Sequence, residues 1–467
     1  MNIFQNLTNN NTKSYLYSKG NIYSYNQLVQ DAEKFSTLDD NRFLIFIVAN
    51  NSYDSLVGYV GLLRVNKVVA MINDSIHESN FYDLIERFKP RFIYKPLNVF
   101  SLKKNWMKKL KIGQYELYET YIEIDYEIND DLALLLMTSG STGSPEFVKL
   151  SHPNIYSNTK SICKYLHITD HDSAITTLPA SYSYGISIVN THLFMGASLI
   201  LTDSSMVNKS FWNLIEKYKI TTFGGVPYTY SILKRLNFEN IDLPSLRYIT
   251  QAGGKLRSGL IDYYYKVCRD KQIDFIVMYG QTEASPRMSY LPPKMLKKKN
   301  GSIGVPIPGG EFYLINDRNQ IINDSNVEGQ LVYKGENVAM GYANNCYDLA
   351  RGDSNKGVLL TGDMAKVDSD GYYFVTGRKK RFLKLFGNRV SLDQVEQKIN
   401  EAGYNCACVG VDDFMKIYTD SKSNVETIIK FVKEYFDISK SGFSVISIQE
   451  IPRNHSGKIL YSELNKN

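Results

Sequence analysis

The first 300 residues alternate short apolar runs with amphipathic helical patterns, and this alternation restricts the fold more than any other feature of the sequence. Strands are predicted at 43–48, 68–72, 173–178, 198–202 and 221–224, and helices at 53–63, 77–88, 154–165, 187–195 and 209–218. Strands and helices in this order form mostly parallel sheets that are covered by helices. We therefore predict an α/β fold with doubly wound sheets over most of this region.

The pattern changes near Gly301, where glycine and proline turns separate short strands and predict a β-rich subdomain. A smaller α+β segment follows Arg378. The short strands are predicted at 311–315, 329–334 and 372–376, the later helices at 391–402 and 425–436, and the later strands at 407–411 and 443–448. Polar residues at 378–381 separate the two blocks, so we predict a large N-terminal domain, 1–378, and a small C-terminal domain, 379–467.

Charge and cysteine content restrict the partners and the compartment. The chain has 54 Lys and Arg against 48 Asp and Glu, and this net charge of +6 is too small to predict a nucleic-acid or anionic-membrane partner. Its apolar runs are shorter than the ~18 to 20 residues of a membrane span, and its N-terminus does not resemble a signal sequence. Five cysteines without a pairing pattern indicate reduced thiols. We expect a cytoplasmic protein without a membrane span.

The stretch from Leu132 to His152 carries the most chemical information. An apolar strand there leads into TSGSTGSP, residues 138–145, where small residues let backbone N–H groups approach an anion and hydroxyls add donors. This composition suits a polyphosphate, and a flexible Ser/Gly turn is the alternative. The spacing matches neither the Walker pattern nor the Rossmann pattern.

Three later stretches carry residues that a nucleotide would need. In MYGQTEASP an aromatic beside a glycine can stack on a purine, and Glu283 can hold Mg²⁺, although a strand-end turn with a solvated glutamate is the alternative. In LLTGD the carboxylate of Asp363 could accept both hydroxyls of a ribose, although an Asp turn is the alternative. In IPRNHSGKI a polar loop ends in Gly457 and Lys458, and a solvated lysine is the alternative there.

Taken together and in this order, these stretches resemble the superfamily of adenylate-forming enzymes: acyl-CoA synthetases, aryl-CoA ligases, amino-acid adenylation domains and firefly-type luciferases. The resemblance rests on TSGSTGSP, YGQTE, GQLVYKGENVAMGY, TGD with DGYYFVTGR, and PRNHSGK. It implies a large N-terminal domain, a small mobile C-terminal domain and a two-step reaction. A carboxylate attacks the α-phosphate of ATP to give acyl-AMP and pyrophosphate, and a thiol of CoA or of a phosphopantetheinyl carrier then displaces AMP.

The resemblance also assigns roles to residues. Lys458, Glu283 and Thr282 would be catalytic, with Glu283 holding Mg²⁺, Tyr279 stacking on adenine and Asp363 binding ribose. The nucleotide would be bound by Thr138, Ser139, Gly140, Ser141, Thr142, Gly143, Gly253, Gly254, Lys255, Tyr279, Gly280, Gln281, Thr282, Asp363 and Arg378. The acyl pocket would be formed by Tyr182, Tyr184, Tyr228 and Gly280, and ordinary core aromatics are the alternative for Tyr182 and Tyr184. Domain rotation would occur at Lys380, and the stretch from Lys384 to Gly387 would serve the thiol half-reaction.

The sequence departs from the family pattern at one position of the phosphate loop. Family loops continue Ser-Pro-Lys-Gly, whereas this chain has Glu146 and Phe147 after Pro145. An anion there would face pyrophosphate, and Lys149 is a poor substitute because residues three apart on a strand point to opposite faces. We expect slower adenylation, and a nucleotide-binding pseudo-enzyme is one alternative.

The acyl acid and the acceptor are less constrained. The segment LPASYSYGIS lacks the aspartate that amino-acid-activating members use, so an aryl, hydroxyaryl or short acyl carboxylate is favoured over an α-amino acid. Only nine residues follow Lys458, so any carrier protein would be a separate chain. Transfer of the acyl group to an amine or hydroxyl is the alternative to transfer to a thiol.

Overall fold

The strands and helices follow the apolar pattern of the sequence closely. The computed structural model describes residues 2–5, 7, 14–101, 105–139, 145–385, 388–436, 438–453 and 459–464. The α-helices are Tyr25–Glu33, Tyr53–Arg64, Glu78–Phe88, His152–Leu166, Ser183–Met195, Lys209–Lys217, Pro227–Arg235, Ser258–Asp270, Leu392–Glu401, Val425–Phe436 and Tyr461–Leu464. Short 3₁₀ helices are Lys34–Thr37, Phe238–Asn240, Thr282–Ala284, Pro293–Met295, Cys346–Ala350, Lys379–Arg381, Lys422–Asn424 and Lys440–Gly442.

Two large mixed sheets form the N-terminal part of the described chain. In spatial order, the first contains Gly341–Ala343, Pro145–Ser151, Leu132–Ser139, Val68–Asn73, Leu44–Ala49, Phe92–Pro96, Tyr115–Glu119 and Met107–Ile112. The second contains Val305–Pro306, Arg287–Leu291, Asp274–Gly280, Tyr248–Gln251, Thr222–Gly225, Ser173–Ile175, Ser198–Leu201, Leu16–Ser18 and Asn21–Tyr23. Their central strands are parallel and their edge strands antiparallel, so the predicted doubly wound region is divided between two sheets.

Helices packed between the two sheets form the largest core. Tyr53–Arg64 and Ser183–Met195 are buried on nearly every face, as helices without a polar side must be. Both pack into a cluster that also takes residues from each large sheet, such as Ile47 and Met278. The two sheets therefore bury a common helical layer.

A five-stranded sheet and the C-terminal segment complete the described chain. The sheet contains, in spatial order, Ile321–Ile322, Glu311–Ile315, Gly329–Lys334, Val358–Val367 and Tyr373–Arg378, and it confirms the β-rich texture expected after Gly301. The C-terminal strands are Phe382–Leu385 with Asn388–Ser391, and Cys406–Val411 with Phe414–Thr419 and Phe443–Ser447. They share a core with the helices Leu392–Glu401 and Val425–Phe436.

None of the helices in the described ranges is both long and apolar enough to cross a membrane. The five cysteines are all buried free thiols.

Candidate active site

A buried carboxylate, Asp363, lies at the centre of the candidate site. It sits on the strand Val358–Val367 and is 3 % exposed. One oxygen, Oδ2, accepts hydrogen bonds from the hydroxyl of Tyr279 and from Nε2 of Gln281 (3.0 Å), and the other, Oδ1, lies 3.1 Å from Nε of Arg378. Burial raises the pKa of Asp363, while the charge of Arg378 and the two hydrogen bonds oppose that rise. The structure thus brings together four of the predicted nucleotide-binding residues.

The turn that follows Tyr279 places a second carboxylate nearby. The strand Asp274–Gly280 ends there, and the 3₁₀ turn Thr282–Ala284 follows. The hydroxyl of Tyr342 donates to Oε1 of Glu283 (2.7 Å), and Thr282 Oγ1 lies 2.9 Å from Ser183 Oγ. The strand end therefore presents a hydroxyl and a carboxylate side by side.

The hydroxyl-rich loop joins two paired strands of the first large sheet. Leu132–Ser139 and Pro145–Ser151 are antiparallel neighbours, and Thr138 faces Glu146 across the pair. Both residues are half-buried. Residues 140–144, which include the predicted phosphate-binding Gly140, Ser141, Thr142 and Gly143, lie outside the described residues.

The segment at 252–255 reaches toward the C-terminal part of the chain. Gly253 has a φ of +81°, and a Cβ there would lie 2.7 Å from the hydroxyl oxygen of Tyr182, so this close approach requires glycine. Lys255 Nζ donates to Oε1 of Gln397 (2.7 Å), and Arg257 Nη2 donates to Oδ1 of Asn400 (2.8 Å). The helix Leu392–Glu401 therefore packs beside the predicted adenine-binding segment.

A cleft opens between these elements. It is lined by Tyr182, Ser183, Tyr184, Ala252, Gly253, Tyr279, Gly280, Gln281, Thr282, Pro286 and Arg287. Tyr182, Tyr184 and Gly280, three residues predicted for the acyl pocket, therefore line the same cleft, and their pocket role stays a prediction. Tyr184 is 2 % exposed, and its hydroxyl donates to the carbonyl oxygen of Thr250 (2.8 Å), so it forms a wall of the cleft from within the core.

Other predicted residues are placed apart from the cleft or are not described. Tyr228 is 58 % exposed on the helix Pro227–Arg235 and does not line the cleft, so its pocket role stays a prediction. Lys380 lies in the turn Lys379–Arg381, and the exposed Lys384 donates its main-chain N–H to Asp412 Oδ1 (2.8 Å). Gly387 and the predicted catalytic Lys458 lie outside the described residues.

The departure at Glu146 has a structural counterpart. Lys149 is buried, and its Nζ donates to the carbonyl oxygens of Asp348 (3.0 Å) and Arg351 (2.7 Å), so its cation is bound within the protein. The charge of Glu146 helps to raise the pKa of Tyr342, after burial and the contact with Glu283. The carboxylates of Glu146 and Glu283 therefore both lie near the hydroxyl of Tyr342.

Comparison with known families identifies the class of this chain. The model of the AMP-binding enzyme family matches residues 4–343, which is most of the chain, so the protein belongs to the AMP-binding enzyme family. The predicted superfamily and enzyme class are thereby confirmed. An oxalate–CoA ligase from Saccharomyces cerevisiae is 24% identical over 89% of this chain and 85% of its own length. A long-chain-fatty-acid–CoA ligase from Bacillus subtilis is 26% identical over 96% of this chain and 81% of its own length.

Solved structures confirm the predicted fold class. The o-succinylbenzoate CoA synthetase of Bacillus subtilis, in complex with its acyl-adenylate intermediate, is 19% identical and matches with a TM-score of 0.80 over 99% of this chain and 97% of its own. An anthranilate CoA ligase in complex with anthranoyl-AMP is also 19% identical, with a TM-score of 0.78 over 100% of this chain and 97% of its own. At these identities the likeness concerns the fold.

Two residues of the site were not singled out from the sequence. Tyr342 lies in GQLVYKGENVAMGY, and its contact with Glu283 depends on how the strand Gly341–Ala343 pairs with Pro145–Ser151. Arg287 follows the YGQTE motif by four residues and lines the cleft. A single charge in the short strand Arg287–Leu291 was the only sequence signal for Arg287.

Proposed function

We propose that the protein is an ATP-dependent acid–thiol ligase. In the first step a carboxylate oxygen of the acid attacks the α-phosphorus of ATP, forming an acyl–O–P bond and releasing pyrophosphate. In the second step the sulfur of CoA attacks the acyl carbon, the C–O bond to AMP breaks, and the thiol proton is lost. The observation that carries this proposal is the cluster in which Tyr279, Gln281 and Arg378 contact the carboxylate of Asp363. Tyr279 and Gln281 also line the cleft, together with Thr282.

The family resemblance supplies a role for each residue that would bind the nucleotide. The contacts of Asp363 with Tyr279, Gln281 and Arg378 support these roles. Asp363 would accept hydrogen bonds from the ribose hydroxyls, and Tyr279 would stack on adenine. Thr138 and the residues of the loop at 139–143 would bind the β- and γ-phosphates, beside Thr282. Gly253, Gly254 and Lys255 would line the adenine edge.

Mg²⁺ would enter with the nucleotide. Within the described ranges there is no cluster of three or more histidine, cysteine or acidic side chains that could hold a metal alone. One carboxylate with substrate phosphates is the usual arrangement for Mg²⁺, and Glu283 at the turn fits that requirement. Bound there, Mg²⁺ would neutralise phosphate charge.

Lys458 would supply a mobile cation for the first step. Adenylation brings a carboxylate and a triphosphate together, and a positive charge near the α-phosphate stabilises the charge that accumulates in the transition state. The segment after Arg378 would rotate about Lys380, so that Lys384 and Gly387 face the cleft for thioester formation. The contacts of Lys255 and Arg257 with the helix Leu392–Glu401 would change in that rotation.

CoA is proposed as the acceptor because the relatives quoted above are CoA ligases by name. A phosphopantetheine arm on a separate carrier protein offers the same thiol and is the second form of this proposal. A cytoplasmic location is also proposed, since five free thiols suit a reducing compartment.

The test is acid-dependent exchange of labelled pyrophosphate into ATP, measured with a panel of carboxylic acids with and without Mg²⁺. We expect exchange that requires both an acid and Mg²⁺, and formation of a thioester when CoA is added. ATP binding without exchange for any acid would instead support the nucleotide-binding pseudo-enzyme. If exchange occurs but the acyl group is transferred only to amines or hydroxyls, the acceptor is an amine or a hydroxyl and not a thiol.

A further inference from the structure

Arg287 is a buried arginine on a wall of the cleft. The residue is 3 % exposed and begins the strand Arg287–Leu291. Its Nη1 lies 3.4 Å from the hydroxyl of Tyr165 and 3.3 Å from Sδ of Met278, and its guanidinium lies over the ring of Tyr184 at 4.9 Å from the centroid. Its Nε is buried and has no hydrogen-bond partner in the part of the chain that the structure describes. The contacts of this cation are therefore aromatic, sulfur and phenolic groups.

No carboxylate of the described chain lies within 4.0 Å of this guanidinium. The acid of this part of the core, Asp172, is already bound by Arg247, whose Nη2 lies 2.8 Å from its Oδ2. His192 lies beside Arg287 in a second, inner cavity, and burial lowers its pKa to about 4, so it adds no second positive charge there. Its Nδ1 lies 2.8 Å from the carbonyl oxygen of Ile188, and its Nε2 has no hydrogen-bond partner among the described residues.

An unpaired buried cation is costly, because its hydration is lost and no anion replaces it. Charged side chains are almost never fully buried unless they are paired, and the buried Asp172 is paired in this way with Arg247. Arg287 lines both the cleft and the inner cavity. Its missing countercharge can therefore come from a ligand that enters through the cleft.

We propose that the acid activated by this enzyme carries a second carboxylate, which pairs with Arg287 at the inner end of the acyl pocket. This rests on the proposed acid-activating function and narrows its substrate to dicarboxylic acids. One carboxylate is adenylated, and the other forms a charge-assisted, two-pronged contact with the guanidinium. Tyr182 and Tyr184 would hold the chain or ring between the two groups.

Such a site rejects acids that lack the second charge. A monocarboxylic acid would leave Arg287 buried and unpaired, and sites built around a polar partner discriminate strongly against analogues that lack it. We expect kcat/KM for a dicarboxylic acid to exceed that for the matched monocarboxylic acid by on the order of 10² or more. The difference should disappear when the cation is removed.

The experiment compares matched acids in the pyrophosphate-exchange assay: succinate with butyrate, glutarate with pentanoate, and phthalate with benzoate. Each acid is tested with wild type, Arg287→Met, Arg287→Lys and the exposed control Arg269→Met. We expect wild type, the control and, more weakly, Arg287→Lys to prefer the dicarboxylic member of at least one pair. Arg287→Met should lose or reverse that preference while still activating the monocarboxylic member.

The outcomes separate the two proposals. If wild type exchanges pyrophosphate with each monocarboxylic acid at least as fast as with the matched dicarboxylic acid, the dicarboxylate site is overturned. The ligase function is unaffected by that result. An unchanged preference in folded Arg287→Met would overturn it as well. No exchange with any acid by a wild-type protein that binds MgATP would overturn the ligase function itself. If Arg287→Met does not fold, the dicarboxylate site is still tested by two measurements. These are the ratio of dicarboxylic to monocarboxylic exchange in wild type and the same ratio in Arg287→Lys.

Discussion

The guanidinium of Arg378 lies against the carboxylate of Asp363, with Nε 3.1 Å from Oδ1, and the two residues face each other across a pair of antiparallel strands. Asp363 is buried, whereas the side chain of Arg378 is 62% exposed. The carboxylate is thus oriented from its solvent side by Arg378 and from its inner side by Tyr279 and Gln281. A ribose bound as we propose would therefore meet an acceptor whose position is already fixed.

This arrangement predicts the effect of Asp363→Ala. Hydrogen bonds to ribose hydroxyls persist unchanged from the ground state to the transition state, so they act as uniform binding. We expect a raised KM for ATP with little change in kcat, measured by pyrophosphate exchange at saturating acid. The control is Asp317→Ala, which removes an exposed carboxylate of the same sheet. An unaltered KM for ATP would remove Asp363 from the nucleotide site.

Gly280 provides a prediction about stability. It pairs with Arg287 where the register shifts, and an added Cβ would lie 1.8 Å from the carbonyl oxygen of Pro286. We expect Gly280→Ala to destabilise the fold by at least about 2 kcal/mol, because backbone must move to admit the methyl group. The measurement is chemical denaturation.

Gly259→Ala is the matched control. Gly259 lies exposed in the first turn of the helix Ser258–Asp270, and apart from its chain neighbours and its own helix backbone no atom of the described residues lies within 4 Å of an added Cβ. This variant should be neutral or more stable by up to about 1 kcal/mol. If Gly280→Ala is as stable as wild type, the register shift between the strands Asp274–Gly280 and Arg287–Leu291 tolerates a side chain.

The helix Ser183–Met195 shows where local sequence signals end. The apolar pattern predicts a start at Ser187, whereas the helix begins at Ser183 after Tyr182, which makes no side-chain cap. A start without a capping residue leaves no sequence signal. By contrast, the predicted bounds of the strands Glu311–Ile315 and Gly329–Lys334 agree with the structure, because glycine and other turn residues flank both runs in the sequence.

The division into two sheets and the role of Arg287 depend on distant contacts. The central strands of both sheets are similar apolar runs, so local pattern does not assign a strand to one sheet or the other. The motifs around Tyr279 and Asp363 could be found because their chemistry lies in short segments. The environment of Arg287 is set by Tyr165 and Tyr184, which are more than 100 residues earlier, and no nearby residue indicates it.

Lys458→Ala tests the predicted catalytic cation. The lysine follows a polar loop sequence, so its removal should leave the fold intact and lower the rate of acyl-AMP formation by about 10² to 10³. Pyrophosphate exchange measures that rate, and thermal unfolding checks the fold. Lys440→Ala, which removes an exposed charge of the same C-terminal segment, should behave as wild type. Pyrophosphate exchange at the wild-type rate in Lys458→Ala would contradict the assignment.

The last prediction concerns Glu146, where the chain departs from its family. Glu146 follows the predicted phosphate-binding loop in sequence and faces Thr138 across the strand pair. Within the described chain no lysine, arginine or histidine pairs with it, and Lys149 is held by carbonyl oxygens. If pyrophosphate lies within ~4 to 6 Å of this carboxylate, the repulsion at an effective dielectric near 20 is on the order of a few kcal/mol before solvent screening.

Glu146→Lys should therefore raise the rate of adenylation and lower the KM for MgATP without changing the thiol half-reaction. Glu123→Lys makes the same change of charge at an exposed site and should have neither effect. Measuring pyrophosphate exchange at two ionic strengths separates charge from packing, because an electrostatic gain on a partly exposed strand shrinks as salt rises. A rate equal to that of wild type at low salt would show that Glu146 does not face the pyrophosphate, and would remove the main argument for a pseudo-enzyme.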